Sequence, residues 1–376
     1  TEVNDLNTAR GLLGGGGAYT AALAFGGTQD PPRVANTEQW NGTNWTEVND
    51  LNTAIYYTTG DGTTASSICA SGFTTTTVAS AEEWTLGTLV GSWSTGGNLN
   101  TARGVSAGLG TYNAAVTAGG ATPSVTADTE TYNGTNWTEV NNLNTAKDQL
   151  TGAGTSTAGL VFSGNPPPNG LTETESWNGT NWTEVNDMNN ARRASGGGGT
   201  QTSAIIAGGR ASSTVDNSET WNGTNWTETN DLNTARLALA GAAADNTAAI
   251  VFGGYEPPPA DTNSTKTESW NGTNWTEVND LNSSRERLAG IGTSTSALAF
   301  GGSRGPAGPT AFTEEWNGTN WTEVADLSNA RSQMPQGSGN VSNGLGYGGQ
   351  TPSSFLNSTE EWTAKNPTTV TFSDSE

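Results

Sequence analysis

Apolar residues fall in short alternating runs broken by glycine and small polar residues, and no helical periodicity is sustained along the chain. Runs such as Ala22-Leu23-Ala24-Phe25 and Ala249-Ile250-Val251-Phe252 each end in Gly-Gly. Others end in Glu-x-Trp, as Glu219-Thr220-Trp221, or begin at Trp, as Trp182 to Val185. The spacing predicts many short β-strands joined by tight turns. The phrase Trp-Asn-Gly-Thr-Asn-Trp-Thr-Glu recurs, and its Asn-Gly supplies the positive φ angles of a hairpin turn. Eight anchors carry it or a variant: Trp40, Trp84, Tyr132, Trp177, Trp221, Trp270, Trp316 and Trp362, spaced 44 to 49 residues apart. Trp84 opens a diverged copy that reaches its second Trp at Trp93, and Trp362 opens a degenerate last copy. Each unit parses into four strands. Strand a follows Asn-Thr-Ala-Arg (Arg10, Arg236), strand b ends in Gly-Gly, strand c ends in Glu-x-Trp, and strand d is Trp-Thr-Glu-Val.

Composition narrows the reading. Hydrophobic residues make up only 32% and glycines number 51, a profile that disorder would share, but 14 Trp exclude it. An all-β protein remains. The formal charge is −22, so a nucleic-acid partner, which needs clustered Lys and Arg, is not expected. No apolar run reaches transmembrane length, and no membrane insertion is expected. The single Cys69, at the strand b position of Ala24, reads as a small buried residue and allows no internal disulfide. Histidine is absent, which removes most metal sites and every His-dependent mechanism, and no cofactor is expected. Starting at Thr1 in mid-motif, the chain reads as a processed product or a portion of something longer, with residues 373–376 a tail or linker.

Gly-Gly, Glu-x-aromatic, a spaced Trp and Leu-Asn-x-x-Arg, recurring in that order, resemble the kelch repeat from about Thr1 to Phe372. Ser71-Gly72 and Ser163-Gly164 replace the double glycine, and Ile55 and Lys147 replace the Arg. The wording is also similar to kelch-like, virion-associated repeat proteins of marine bacteriophages. The resemblance implies a single β-propeller of about eight four-stranded blades, with seven as the alternative. The units lie near 1–45, 46–93, 94–137, 138–182, 183–226, 227–275, 276–321 and 322–372. Either Thr1-Glu2-Val3 or Thr368-Thr369-Val370 would close the ring as a strand d. The resemblance further implies one ion pair between strands a and c per blade. It draws Arg10, Arg103, Arg192, Arg236, Arg285 and Arg331 together with Glu38, Glu83, Glu130, Glu175, Glu219, Glu268, Glu315 and Glu361.

The repeated Trp read as blade-to-blade packing rather than sugar stacking. Asp50, Asp187, Asp231 and Asp280, from the Asn-Asp-Leu-Asn segments, read as turn caps, with calcium the competing reading. The Asn-Gly-Thr and Asn-Trp-Thr triplets match the N-glycosylation sequon, although the turn alone accounts for them. The c–d turn and the d–a segment barely change between units, whereas the b–c segment varies in length and content and is stiffened by Pro166 to Pro168 and Pro257 to Pro259. In a four-strand meander b–c and d–a connections share a face, the usual layout of a recognition surface. Arg33, Arg210, Tyr255, Glu256, Arg304 and Phe312 are the contact candidates there. The expected function is a non-enzymatic virion or extracellular recognition and structural module. It would bind a host-surface glycan or protein, or a neighbouring virion protein, and self-association as a homo-oligomer is compatible with it. The competing reading is an intracellular adaptor that binds a basic peptide. Copper oxidases among kelch-like propellers need His ligands, and sialidase-like propellers need an arginine triad that these repeated Arg do not form.

Overall fold

The computed structural model describes residues 3–29, 32–48, 50–63, 66–86, 91–165, 170–364 and 370–374. Among them the strands form eight four-stranded antiparallel sheets, six from a single repeat and two that take strand d from elsewhere, and a two-stranded ribbon joins Tyr255–Glu256 to Thr262–Asn263. The fourth repeat runs a, Thr151–Gly154; b, Gly159–Phe162; c, Thr174–Trp177; d, Trp182–Val185. Its c–d register sets Trp177 opposite Trp182 and Glu175 opposite Glu184. The turn between them forms because Asn178 Oδ1 accepts the N–H groups of Thr180 and Asn181, 2.9 and 2.8 Å away. The other Asn-Gly turns repeat that geometry, as at Asn41 and Asn271.

The chain divides into two compact units, Thr1–Val90 with Lys365–Glu376, and Gly91–Ala364. Unit 2 holds six sheets. Strand a of each touches strand a of the next, and Ser338–Gly339 of the last touches Ala107–Thr111 of the first, so the six close into a ring. Unit 1 holds the other two: Gly14–Ala18 through Val48, and Thr59–Gly62, Ser66–Phe73 and Thr77–Leu86 completed by Val370–Asp374. The eight sheets match the eight repeats. The closing strand differs from both expected segments. Strand d of the last blade of unit 2 is neither Thr1–Val3 nor Thr368–Val370; it is Ser92–Gly96, paired with Thr359–Thr363 so that Trp93 faces Trp362. Thr1, Glu2, Thr368 and Thr369 lie outside the described residues, and Val370 pairs with Leu86 in unit 1.

Tryptophan builds both the blades and the joints between them. The strand c Trp donates its indole N–H to the a–b hairpin of its own sheet, as Trp177 to Ser156 O at 2.9 Å. The strand d Trp donates to the first strand c hydroxyl of the preceding blade. The set Trp137–Thr359, Trp182–Thr129, Trp226–Thr174, Trp275–Ser218, Trp321–Thr267 and Trp93–Thr313 runs once around the ring, at 3.0–3.1 Å. Burying one such ring system contributes about 5 kcal/mol of apolar transfer, so blade packing accounts for the repeated Trp.

The repeated ion pairs also form, each within one sheet. Arg10 meets Glu38 in unit 1. In unit 2 the pairs are Arg103–Glu130 (2.7 Å), Lys147–Glu175 (2.8 Å), Arg192–Glu219, Arg236–Glu268 (2.9 Å), Arg285–Glu314 (2.9 Å) and Arg331–Glu360 (2.6 Å), with every cation buried. Three carboxylates differ from those expected: Glu82, Glu314 and Glu360 fill the position, not Glu83, Glu315 and Glu361. Strand parity is the reason, because the residue two before the anchor aromatic shares its side of the strand and the residue one before does not. Glu82 faces no cation at Ile55 and accepts the Asn52 and Thr53 backbone N–H groups. Glu361 instead accepts the Tyr132 hydroxyl at 2.6 Å; burial first, and that bond second, push the phenol up to about 12.

Candidate functional site

The b–c and d–a connections of unit 2 surround a cavity of about 240 Å³ at the centre of the ring, lined by residues from all six blades. Its rim follows from a rule the repeats share. The second residue after the Arg position adopts a left-handed backbone: Val105, Gln149, Ala194, Ala238, Arg287 and Gln333, with φ from 52° to 56°. Such φ values strain a non-glycine residue, β-branched Val105 most of all. Backbone bonds hold them in place: Gln149 N to Val105 O, Ala194 N to Gln149 O, Ala238 N to Ala194 O, Arg287 N to Ala238 O and Val105 N to Gln333 O, 2.7–3.0 Å.

Outside this inner ring lies a second fixed feature. The residue just after the Arg position forms an isolated antiparallel bridge with the residue just after Gly-Gly. The pairs in unit 2 are Gly104–Ala121, Asp148–Asn165, Arg193–Arg210, Leu237–Tyr255, Glu286–Ser303 and Ser332–Gln350. Unit 1 has Gly11–Thr28 and Tyr56–Phe73, with Leu12 and Tyr57 at the left-handed position. The preceding turn is fixed by the first glycine of the pair. At Gly208 (φ 63°) an added Cβ would lie 2.8 Å from Arg236 O. Ser163 adopts the same sign of φ, 65°, where serine replaces that glycine.

Each blade therefore presents three positions on an invariant backbone, and the combination of residues there changes from blade to blade. The d–a segment, expected to be uniform, varies in the two residues after the Arg position. That variation is visible when the units are aligned, but it hides beside the repeated Leu-Asn-x-x-Arg.

Across the cavity, Gln336 Nε2 reaches Gly197 O at 3.3 Å from the opposite side of the ring, 139 residues away in sequence. At the rim Asp148 is 8% exposed, and its Oδ1 has no hydrogen-bond partner. Burial pushes its carboxyl above the ordinary range, while Asn165 and the Arg193 charge act the other way. Arg287 is exposed beside Glu286, 3.9 Å away.

The sequence-derived candidates lie on the expected connections but form no single cluster. Arg33 belongs to unit 1, where it bridges Thr28. Arg210 is exposed on the third blade of the ring. Tyr255 donates its hydroxyl to Asp261, and Glu256 is tied to Lys266 at 3.2 Å and to the Ser264 hydroxyl at 2.7 Å, so both brace their own loop. Arg304 sits over the Phe312 ring, 5.8 Å from its centre. Pro166 to Pro168 lie outside the described residues. The aspartates considered for calcium do not cap their own turns; they tie the d–a segment to the start of strand c or to the b–c connection. Asp50, Asp231 and Asp280 accept the N–H groups of Thr37, Ser218 and Thr267 at 3.0–3.3 Å, and Asp187 accepts the Thr172 hydroxyl at 3.3 Å. Among the described residues no group of three or more His, Cys, Asp or Glu gathers around one point. Cys69 is buried, in contact with the Thr58 hydroxyl, and burial pushes its thiol up.

No family model matches the chain, and no curated protein does. Solved structures do match. One, titled "Structure of YjhT", superposes with a TM-score of 0.62 at 11% identity, over 73% of this chain and 99% of that one. At that identity the likeness is one of fold: the chain is an all-β protein of propeller type. The matched share equals in size the Gly91–Ala364 unit. No helix among the described residues is long and apolar enough to cross a membrane.

Proposed function

We propose that the chain is a non-enzymatic recognition module whose binding surface is the b–c/d–a face of the six-bladed ring. The observation that carries this is the contrast within each repeat: an unchanging frame of ion pairs, indole bonds and left-handed residues presents a set of three residues whose combination differs in every blade. A frame conserved against drift beside positions free to vary is how a scaffold supports specificity. The central cavity gives that face a concave element into which part of a ligand fits. The wording shared with virion-associated phage repeats makes a virion or extracellular setting the leading one, with a host-surface glycan or protein, or a neighbouring virion protein, as ligand.

A glycan array probed with the full chain, with and without calcium, tests this reading. The expected result is a small set of related hits. They should be lost when the Tyr255–Lys266 loop is replaced by the corresponding loop of another repeat, and kept when calcium is removed. Hits that ignore loop replacement on every blade would remove the face from consideration. The buried, unpartnered Asp148 oxygen favours a second reading, an adaptor that admits a basic peptide side chain into the cavity. Peptide capture abolished by Asp148→Asn would select it.

A further inference from the structure

The chain is strongly acidic, at −22, yet the free positive charge of unit 2 is gathered in one place. Each repeat of that unit buries one cation against its strand c glutamate. The other described cations there are Arg193, Arg210, Lys266, Arg287 and Arg304, and all stand on b–c or d–a connections. Lys266 is neutralised by Glu256 and Arg287 lies by Glu286, which leaves the third blade of the ring as the strongest positive point.

There Arg193 and Arg210 occupy the bridge position together. Arg193 N donates to Arg210 O at 3.0 Å and Arg210 N to Arg193 O at 2.8 Å. Residues that exchange both bonds face each other about 5.5 Å apart at Cα, with side chains on the same side. Two like charges in such a pair are destabilising, and none of the other seven bridges holds one. Among the described residues neither guanidinium has a carboxylate within 4.0 Å, and Asp148, on which the Arg193 charge acts, is the acidic neighbour. Arg193 Nη1 bonds the neutral Asn165 Oδ1 at 2.6 Å, and Arg210 is exposed. The neighbouring left-handed position is Ala194, which with Ala238 carries the smallest side chain at that position. Ser212 and Ser213 add hydroxyls in the turn that follows.

We infer that the Arg193–Arg210 pair is an anion clamp, and that the ligand of this face carries a carboxylate or sulfate group, as an acidic glycan does. Two forks of N–H donors converging on one oxyanion turn the local repulsion into binding. This assignment rests on the face proposed above and names the chemistry it selects.

The test combines two readouts on the full chain. The first is the arginine Nε–Hε NMR signals during titration with sodium sulfate and with glucuronate, against sodium chloride at equal ionic strength. The second is an array of glycans of matched backbone that are neutral, carboxylated or sulfated. The expected result is that the Arg193 and Arg210 signals shift with both anions and that acidic glycans are retained over neutral ones. Retention should fall about tenfold in Arg210→Gln and in Arg193→Gln, recover in part in Arg210→Lys, and stay level in Thr183→Ala, which is exposed on a strand d away from this face. A shift with sulfate alone, or with glucuronate alone, identifies which group the clamp takes. Absence of any shift at the two arginines overturns the clamp, as does equal capture of acidic and neutral glycans. Arg210 is exposed and Arg193 half-buried, and thermal midpoints of both variants equal to the parent's separate loss of the clamp from misfolding. If loop replacement at Tyr255–Lys266 abolishes capture while the arginine variants do not, the clamp fails and the face stands. If neither matters, the face fails as well.

Discussion

Asp148 shows how much depends on one atom. It follows Lys147, the one lysine among the buried cations of the ring, and its bridge partner is Asn165. Burial disfavours its charged form more than Asn165 and Arg193 favour it, so the folded-state value lies above the ordinary 3.8. The folded protein then binds the proton more tightly than the unfolded chain. The stability this brings is fully present below 3.8 and is lost as pH rises through the raised value. Asp148→Asn is therefore expected to raise the thermal midpoint at neutral pH, by an amount on the order of 1 kcal/mol for a relieved buried acceptor. The gap should close as pH falls below 3.8. Circular dichroism melts across that range check it, and a variant less stable at neutral pH would show that the carboxylate is well solvated. The left-handed residues beside Asp148 were not legible in the sequence. Val105, Gln149 and Arg287 have no composition in common, and φ near 55° in non-glycine residues accompanies the run of backbone bonds between blades, not a side-chain propensity.

The strand a–strand c tie is the clearest case of legibility at the level of elements. Leu-Asn-x-x-Arg and Glu-x-Trp each recur, and both motifs meet on one carboxylate. In the fourth blade of the ring Glu268 takes Arg236 Nη2 at 2.9 Å, and the Asn233 backbone and side-chain N–H groups at 2.7 and 2.8 Å. Arg236 also donates to the carbonyls of Gly253 and Lys266 at 2.8 and 2.7 Å. Arg236→Met leaves a buried carboxylate short of its cation and the Gly253 carbonyl without its donor, a loss of about 3–5 kcal/mol. Adding Glu268→Leu removes the orphaned charge and is expected to restore part of that loss, though not all, because Asn233 then lacks its acceptor. Urea denaturation of the two single variants and the double variant measures the coupling. Additive losses would mean that the pair is only a spectator of the blade. The second repeat has already made the substitution, with Ile55 at the Arg position and Glu82 accepting the Asn52 and Thr53 backbone N–H groups.

At the scale of the molecule, repetition made the sheets legible and their pairing ambiguous. Every strand c ends in Glu-x-Trp or its equivalent, and every full strand d begins at Trp, so side-chain pattern alone does not choose which d joins which c. Elsewhere the Asn-Gly turn forces sequential strands together. The two repeats that lack it are the second, where Trp84 and Trp93 are separated by a longer segment, and the last, where Thr-Ala-Lys-Asn-Pro follows Trp362. These are the two whose strand d comes from elsewhere: Ser92–Gly96 pairs with Thr359–Thr363, and Val370–Asp374 with Thr77–Leu86. The first of these pairings closes unit 2, and it carries the Trp93–Thr313 bond at 3.1 Å that completes the circle of indole donors. A recombinant chain spanning 91–364 is therefore expected to fold alone and unfold in one cooperative step. One spanning 98–364 leaves the Thr359–Thr363 edge bare, and is expected to lose the transition or aggregate. In the full chain Ser92→Cys with Thr363→Cys, which face each other in the register, should cross-link on mild oxidation and raise the thermal midpoint. If 91–364 is unfolded, or 98–364 equally stable, closure by Ser92–Gly96 is refuted. The chain would then have to close through its own last repeat, which would return the second repeat its sequential strand d.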